Sequence, residues 1–242
     1  MATDESFIGK GIVYIENDDG LLIDTGNSTA FSYSADEEKK ELKNYRTSAG
    51  GNYNALTRIN AVNINITMSD FSAQNLSLGL FGGITAVAAG AVTDEAQTTP
   101  SDVSVDFLLP TDHIVDTTET LTVTGYTDGT DFEKVSGGII VLASGSIPAS
   151  TALAISYTKK ASNLVEAFVN AARNRKIVVL IENEAQSGTP MVITIHRAKF
   201  GPAQETAFIG DDFGEITLAG EALQDTSITT TGLSQYLKIN AA

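Results

Sequence analysis

The sequence predicts a mainly β chain with one short α-helix and an inserted small β-sandwich. Three observations lead there. Val62, Ile64, Ile66 and Met68 alternate with Asn63, Asn65, Thr67 and Ser69, the period of a strand with one dry face and one wet face. Residues 101–158 hold short apolar runs punctuated by turn pairs such as Asp128-Gly129 and Gly145-Ser146, the spacing of a small β-sandwich. Thr, Ser, Gly and Val are abundant and Trp is absent, which suits strands and turns.

Each element follows from its own residues. Residues 1–6 are polar. Residues 12–15 make a short strand that stops at the turn Asn17-Asp18-Asp19-Gly20, and residues 21–23 continue it before Thr25-Gly26-Asn27 breaks again. Residues 29–35 alternate, with Phe31, Tyr33 and Ala35 on one face and Ser32 and Ser34 on the other. The charged run 36–45 has good helix formers, and a solvated helix presents much the same pattern. Only Leu42 and Tyr45 supply an apolar stripe, however, so such a helix has little to dock with. The expectation is instead a strand that outruns the body of the domain, turns in the glycine-rich loop 47–54 and returns through 56–68. This long hairpin carries its charged tip outside the core.

After Met68 the period changes. Ser72 suits an N-cap, Leu76 and Leu80 lie one turn apart, and Gly82-Gly83 is a glycine stop. The apolar residues 84–92 follow, and Thr98-Thr99-Pro100 marks a boundary. Within the insert, strands are expected at 103–109, 121–126, 138–142 and 152–157. Residues 162–175 fit a helical face of Leu164, Val165, Phe168, Val169 and Ala172, and fit an extended segment as well. Clearer strands follow at 177–181, 191–199, 215–223 and 236–240. The organisation expected is a core formed by 1–98 and 159–242, with 99–158 inserted.

Charge and composition exclude several functions. Acidic residues outnumber basic ones 30 to 15, so the net charge of −15 repels nucleic acid wherever Lys and Arg are not clustered. The absence of Cys removes disulfides and thiolate chemistry. No signal-peptide pattern and no apolar run of about 20 residues occurs, so neither secretion nor membrane binding by this chain is expected. Of the two histidines, His113 and His196, the second lies in an alternating strand and reads as an ordinary strand residue. Gly9-Lys10-Gly11 is too short to cradle phosphate. The aspartates of Asp128-Gly129-Thr130-Asp131 and Asp211-Asp212-Phe213-Gly214 read as turn formers, since neither has the spacing of a calcium loop. No nucleophile–base pair can be assembled. The chain is expected to be no enzyme, with no catalytic residue, metal site or cofactor.

The ordered motifs resemble the major tail tube proteins of long-tailed bacteriophages. They comprise Ala30 to Gly51, the alternating strand, Ser72-x-x-Asn75-Leu76 and its glycine stop, and Gly188-Thr189-Pro190-Met191-Val192-Ile193. Then come Arg197-Ala198-Lys199-Phe200-Gly201-Pro202, Phe208-Ile209-Gly210-Asp211-Asp212-Phe213-Gly214 and Ala219-Gly220-Glu221-Ala222-Leu223. Together they cover about two-thirds of the chain, and their order is more specific than any one piece. The resemblance implies a two-sheet β-sandwich or barrel with one flanking α-helix, assembled as hexameric rings stacked into the hollow tail of a virion. It also implies assembly in the host cytoplasm, with tape-measure protein and then genomic double-stranded DNA in the bore. Tail terminator and distal tail proteins would meet the ends. On that reading Ser32, Ser34, Asp36, Glu38, Asn63, Asn65 and Thr67 face the lumen, while Phe31, Tyr33, Val62, Ile64, Ile66 and Met68 pack against the second sheet. The tip residues Lys39, Lys40, Lys43, Tyr45, Arg46 and Tyr53 would meet the next ring. A secretion-system tube protein shares this architecture. A monomeric β-sandwich that binds carbohydrate or mediates adhesion is the alternative of a different class, and it calls for exposed aromatic side chains.

Overall fold

A computed structural model describes residues 6–48 and 50–242; residues 1–5, and Ala49 in the expected tip loop, lie outside the described residues. The chain divides into two compact units, one formed by residues 1–83 with 165–242 and the other by residues 84–164.

The first unit is built on one hydrogen-bonded set of eight strands. They are β1 (Gly9–Glu16), β2 (Leu22–Asp24), β3 (Ser28–Lys43), β4 (Asn52–Met68), β13 (Asn174–Asn183), β14 (Thr189–Phe200), β15 (Ile216–Ala222) and β16 (Leu237–Ala241). The order is β2-β1-β13-β14-β15-β4-β3. On its second edge β14 pairs with β16 along residues 191–195 and with β15 along residues 198–200. One long strand thereby feeds two layers, the device that turns a corner in a sandwich. Val13, Ile15, Ile177, Val179, Ile193 and Ile195 from the first layer meet Val62, Ile64, Ile66, Met68, Ile216 and Leu218 from the second in a single core. Every second residue of 62–68 is buried, as the alternation requires. Gly11 is fixed by space: a Cβ there would sit 2.0 Å from the Leu180 carbonyl oxygen.

The helix α1 (Ala73–Leu80) starts where Ser72 accepts a hydrogen bond from the Asn75 N–H at 3.1 Å. Its end differs from the glycine stop expected. Phe81, not a glycine, takes the left-handed conformation, with φ of 49°. Gly82 serves close approach, since a Cβ there would lie 2.9 Å from the Glu166 carbonyl oxygen. The open question at 162–175 resolves as extended chain: β12 (Ser162–Glu166), an irregular connection, then β13. The connection satisfies the carbonyls that end the helix. Phe168 N–H donates to the Leu80 carbonyl, Asn170 N–H to that of Phe81, and the Asn170 side chain to that of Gly82.

The second unit holds two three-stranded sheets. One is β7 (Phe107–Pro110), β10 (Gly138–Val141) and β9 (Phe132–Val135), with β10 central; the other is β6 (Gly90–Thr98), β11 (Ala152–Lys159) and β8 (Thr122–Val123), with β11 central. Leu109, Val115, Phe132, Ile139, Ile155 and Tyr157 belong to its separate core. This unit runs from 84 to 164 and not over 99–158, because β6 pairs with β11 from Gly90 to Thr98. The short strand β5 (Gly83–Val87) pairs with β12.

Candidate functional site

The hairpin of β3 and β4 is the most unusual element. The two strands stay paired from Ser28 with Met68 out to Lys43 with Asn52. β15 accompanies β4 only along residues 63–68, so among the described residues no other strand lies beside the ribbon from residue 37 to residue 59. Among its described residues it is exposed except at the half-buried Glu38 and Asn44, and it forms an arm. Residues 36–43, expected as strand despite their helical composition, lie in this extended arm.

Alternation places Ser32, Ser34 and Asp36 of β3 and Asn63, Asn65 and Thr67 of β4 on the face turned away from the core. Asn63 is half-buried and Asn65 exposed. Asn63 Nδ2 donates to Asp36 Oδ2 at 2.8 Å. Register carries this polar face onto further strands. Thr217, Ala219 and Glu221 stand opposite Thr67, Asn65 and Asn63, and Lys199 of β14 stands opposite Glu221. The sequence reading missed Thr217, Glu221 and Lys199, although the alternation of buried Ile216 and Leu218 was the signal that could have found them. The expected packing side needs one correction. Tyr33 is 43% exposed, because β3 is an edge strand and its inward side chains lie at the rim; Phe31 packs against the core.

A bulge between Asp36 and Glu37 leaves Asn60 as an extra residue on β4. Beyond it Glu38 pairs in register with Arg58, not with an odd-numbered residue of β4. Arg58 Nε donates to Glu38 Oε2 at 2.7 Å, and Lys40 Nζ lies 3.4 Å from Glu38 Oε1. On the other face Glu41 takes Lys39 at 2.6 Å and Lys43 at 2.9 Å. Hydrogen bonds from Lys39, then Lys43 and Asn52, hold the Glu41 carboxyl down to about 2, and the same contact raises the pKa of Lys39. Three of the basic tip residues expected to reach another ring are thus already paired within the arm. Its apolar members are not: Leu42, Tyr45, Tyr53, Leu56 and Ile59 are all more than half exposed, Tyr45 by 87%.

Two of the remaining polar candidates, Asp131 and His196, are tied into the fold. Asp131 accepts from Thr127 N–H and from the N–H and hydroxyl of Ser146, which hold its carboxyl below the ordinary value and organise a turn. The His196 backbone N–H donates to the Tyr236 carbonyl, and burial, then the nearby Lys238, lowers the pKa of its ring. Among the described residues no cluster of three or more His, Asp or Glu is placed to hold a metal. No helix among them is long and apolar enough to cross a membrane.

Two β units, a polar sheet face and a ribbon that leaves the body of its own unit define the class of this protein. Over residues 6–240 the chain matches the family described as protein of unknown function UCP028589, and it belongs to that family. No curated protein matches it.

Proposed function

We propose that this chain is a structural subunit that assembles with copies of itself, and specifically that it acts as a major tail tube protein, stacking in hexameric rings around a bore that conducts DNA. The arm carries the reading. An isolated two-stranded ribbon is marginal in water, and this one displays five large apolar side chains with nothing of its own unit to cover them. A neighbouring subunit supplies that cover, and the paired charges along the ribbon fix its twist and spacing. The polar face supports the second half of the proposal. Its basic groups Arg58 and Lys40 both contact Glu38, and Glu221 stands opposite Lys199 in register, so carboxylates lie beside the cations that a passing phosphate backbone would meet. The exposed Tyr45 and Tyr53 also suit a monomeric carbohydrate-binding module, which stacks sugars on aromatic faces.

Negative-stain electron microscopy separates the two. The purified protein is expected to form rings or tubes, while a variant with residues 39–57 replaced by an Asn-Gly turn between the register partners Glu38 and Arg58 stays folded and dispersed. A wild-type protein that remains monomeric at high concentration would refute the assembly reading.

A further inference from the structure

The two ends of the β3–β4 ribbon carry opposite charge. β4 runs 17 residues from Asn52, near the tip of the arm, to Met68, about 50 Å of extended chain. At the Met68 end Ile216 stands in register with Met68, so the loop 205–215 that leads into β15 lies there. Its base is fixed: Thr206 bridges Ile216, and Thr29 Oγ1 donates to Glu215 Oε1 at 3.1 Å. Phe208 meets Phe71 edge to face with ring centroids 5.7 Å apart. Beyond that base Ile209 is 97% exposed and Phe213 96%. The same loop holds Glu205, Asp211, Asp212 and Glu215, all exposed, and no Lys or Arg. Among the described residues none of these four carboxylates is in an ion pair.

The far end is basic. Residues 38–58 hold Lys39, Lys40, Lys43, Arg46 and Arg58, a third of the chain's 15 basic residues, against only Glu38 and Glu41. Those two carboxylates serve the other four cations, while Arg46 has no carboxylate partner among the described residues. Leu42 and Leu56 share one face of the arm, since Leu56 stands opposite Lys40, two positions before Leu42. Both are more than half exposed, as is Tyr45 at the tip. Each end therefore shows large apolar side chains to water, which is unfavourable unless something receives them, and each has the charge that the other lacks. One copy cannot bring them together, because its own paired strands hold them apart. A second copy can.

We infer that the arm tip of one copy lands on the 205–215 loop of the next, with Leu42 and Tyr45 against Ile209 and Phe213, and Arg46 against Asp211 or Asp212. The two surfaces differ, so the contact is heterologous. Because they lie at opposite ends of one ribbon, it adds copies in line along the ribbon. This rests on the assembly reading and deepens it by naming the surface that covers the arm.

The chain has no cysteine, so an engineered pair reports cleanly. Ser48 and Gly210 are exposed, and replacing them leaves the contacting side chains in place. With Ser48→Cys and Gly210→Cys in one chain, a short bis-maleimide should give a ladder of covalent oligomers, absent from either single variant. Ile209→Ser with Phe213→Ser should raise the concentration needed for assembly by about tenfold or more. The melting temperature of that variant when dispersed should match wild type, since neither side chain is buried. Arg46→Glu should weaken assembly likewise, and adding Asp211→Arg with Asp212→Arg should restore it. Cross-linked product confined to monomer, or stopping at a dimer, overturns the inference. So do tubes of the double-cysteine variant that form without any cross-link, an outcome that leaves the assembly reading intact. Absence of wild-type assemblies overturns both.

Discussion

Asn75 joins three segments through one side chain. Its Nδ2 donates to the carbonyls of Thr25 and Asp70, each at 2.8 Å, and its backbone N–H takes the Ser72 cap, while Oδ1 is buried without a hydrogen bond. Asn75→Ala strips two acceptors of their donor inside the protein, so denaturant melts should show a loss of about 1–3 kcal/mol. A change confined to a few tenths would mean that water reaches those carbonyls. The polar sheet face gives a second expectation at this scale. Asn63 already holds Asp36, so a lysine there gains a carboxylate partner, whereas Asn65 has an exposed side chain opposite Ser32 and Ala219. If this face lines a DNA-conducting bore, Asn65→Lys should leave tubes intact and impair DNA delivery more than Asn63→Lys. Equal, undiminished delivery by both variants would place the bore elsewhere.

The arm is where an element's own chemistry sets its behaviour. Glu41 has its pKa depressed from an ordinary 4.5 to about 2, so the stabilisation it gives is complete above about pH 4.5 and is lost as pH falls from there through 2. The arm should therefore loosen in that acid window while the core below it stays folded. Hydrogen exchange of the amides of 37–59 between pH 5 and pH 2.5, corrected for intrinsic rates, checks this; protection that stays constant would show that the charges on Glu41, Lys39 and Lys43 do not hold the ribbon. High salt should weaken the same contacts, because all are exposed. The helical composition of 36–43 was misleading taken alone. What decided for a strand is that the charged residues find partners across a ribbon, Glu38 with Arg58, as readily as along a helix, and a helix here has no apolar face to bury.

Across the whole molecule, two separate cores predict two separate folding units. Residues 84–164 enclose their own buried set, including Phe132, Ile139 and Ile155. Expressed alone, that fragment should melt in one cooperative transition and give dispersed amide resonances. A molten fragment would mean that its core depends on the rest of the chain. The first unit is discontinuous in sequence, and its helix end depends on residues about 90 positions further on: Phe168 and Asn170 cap Leu80, Phe81 and Gly82. Asn170→Ala, which removes the donor to the Gly82 carbonyl, should therefore fray the end of α1 and loosen the contact of Leu78 with the core, read as faster amide exchange over residues 73–82.

The mainly β class, the dry and wet faces of 62–68 and the Ser72 cap were all determined by sequence alone. Each depends on period, or on a residue's bonds to near neighbours, and those are local properties. Tertiary structure alone decided that 162–175 is not a helix, that the long hairpin is a strand to its tip, and that the second unit starts at 84. In each case the deciding fact was which distant strand or carbonyl a segment answers to: β6 needed β11, and the end of α1 needed donors. Hydrogen-bond partners far apart in the chain leave no periodic trace, so only the folded molecule could name them.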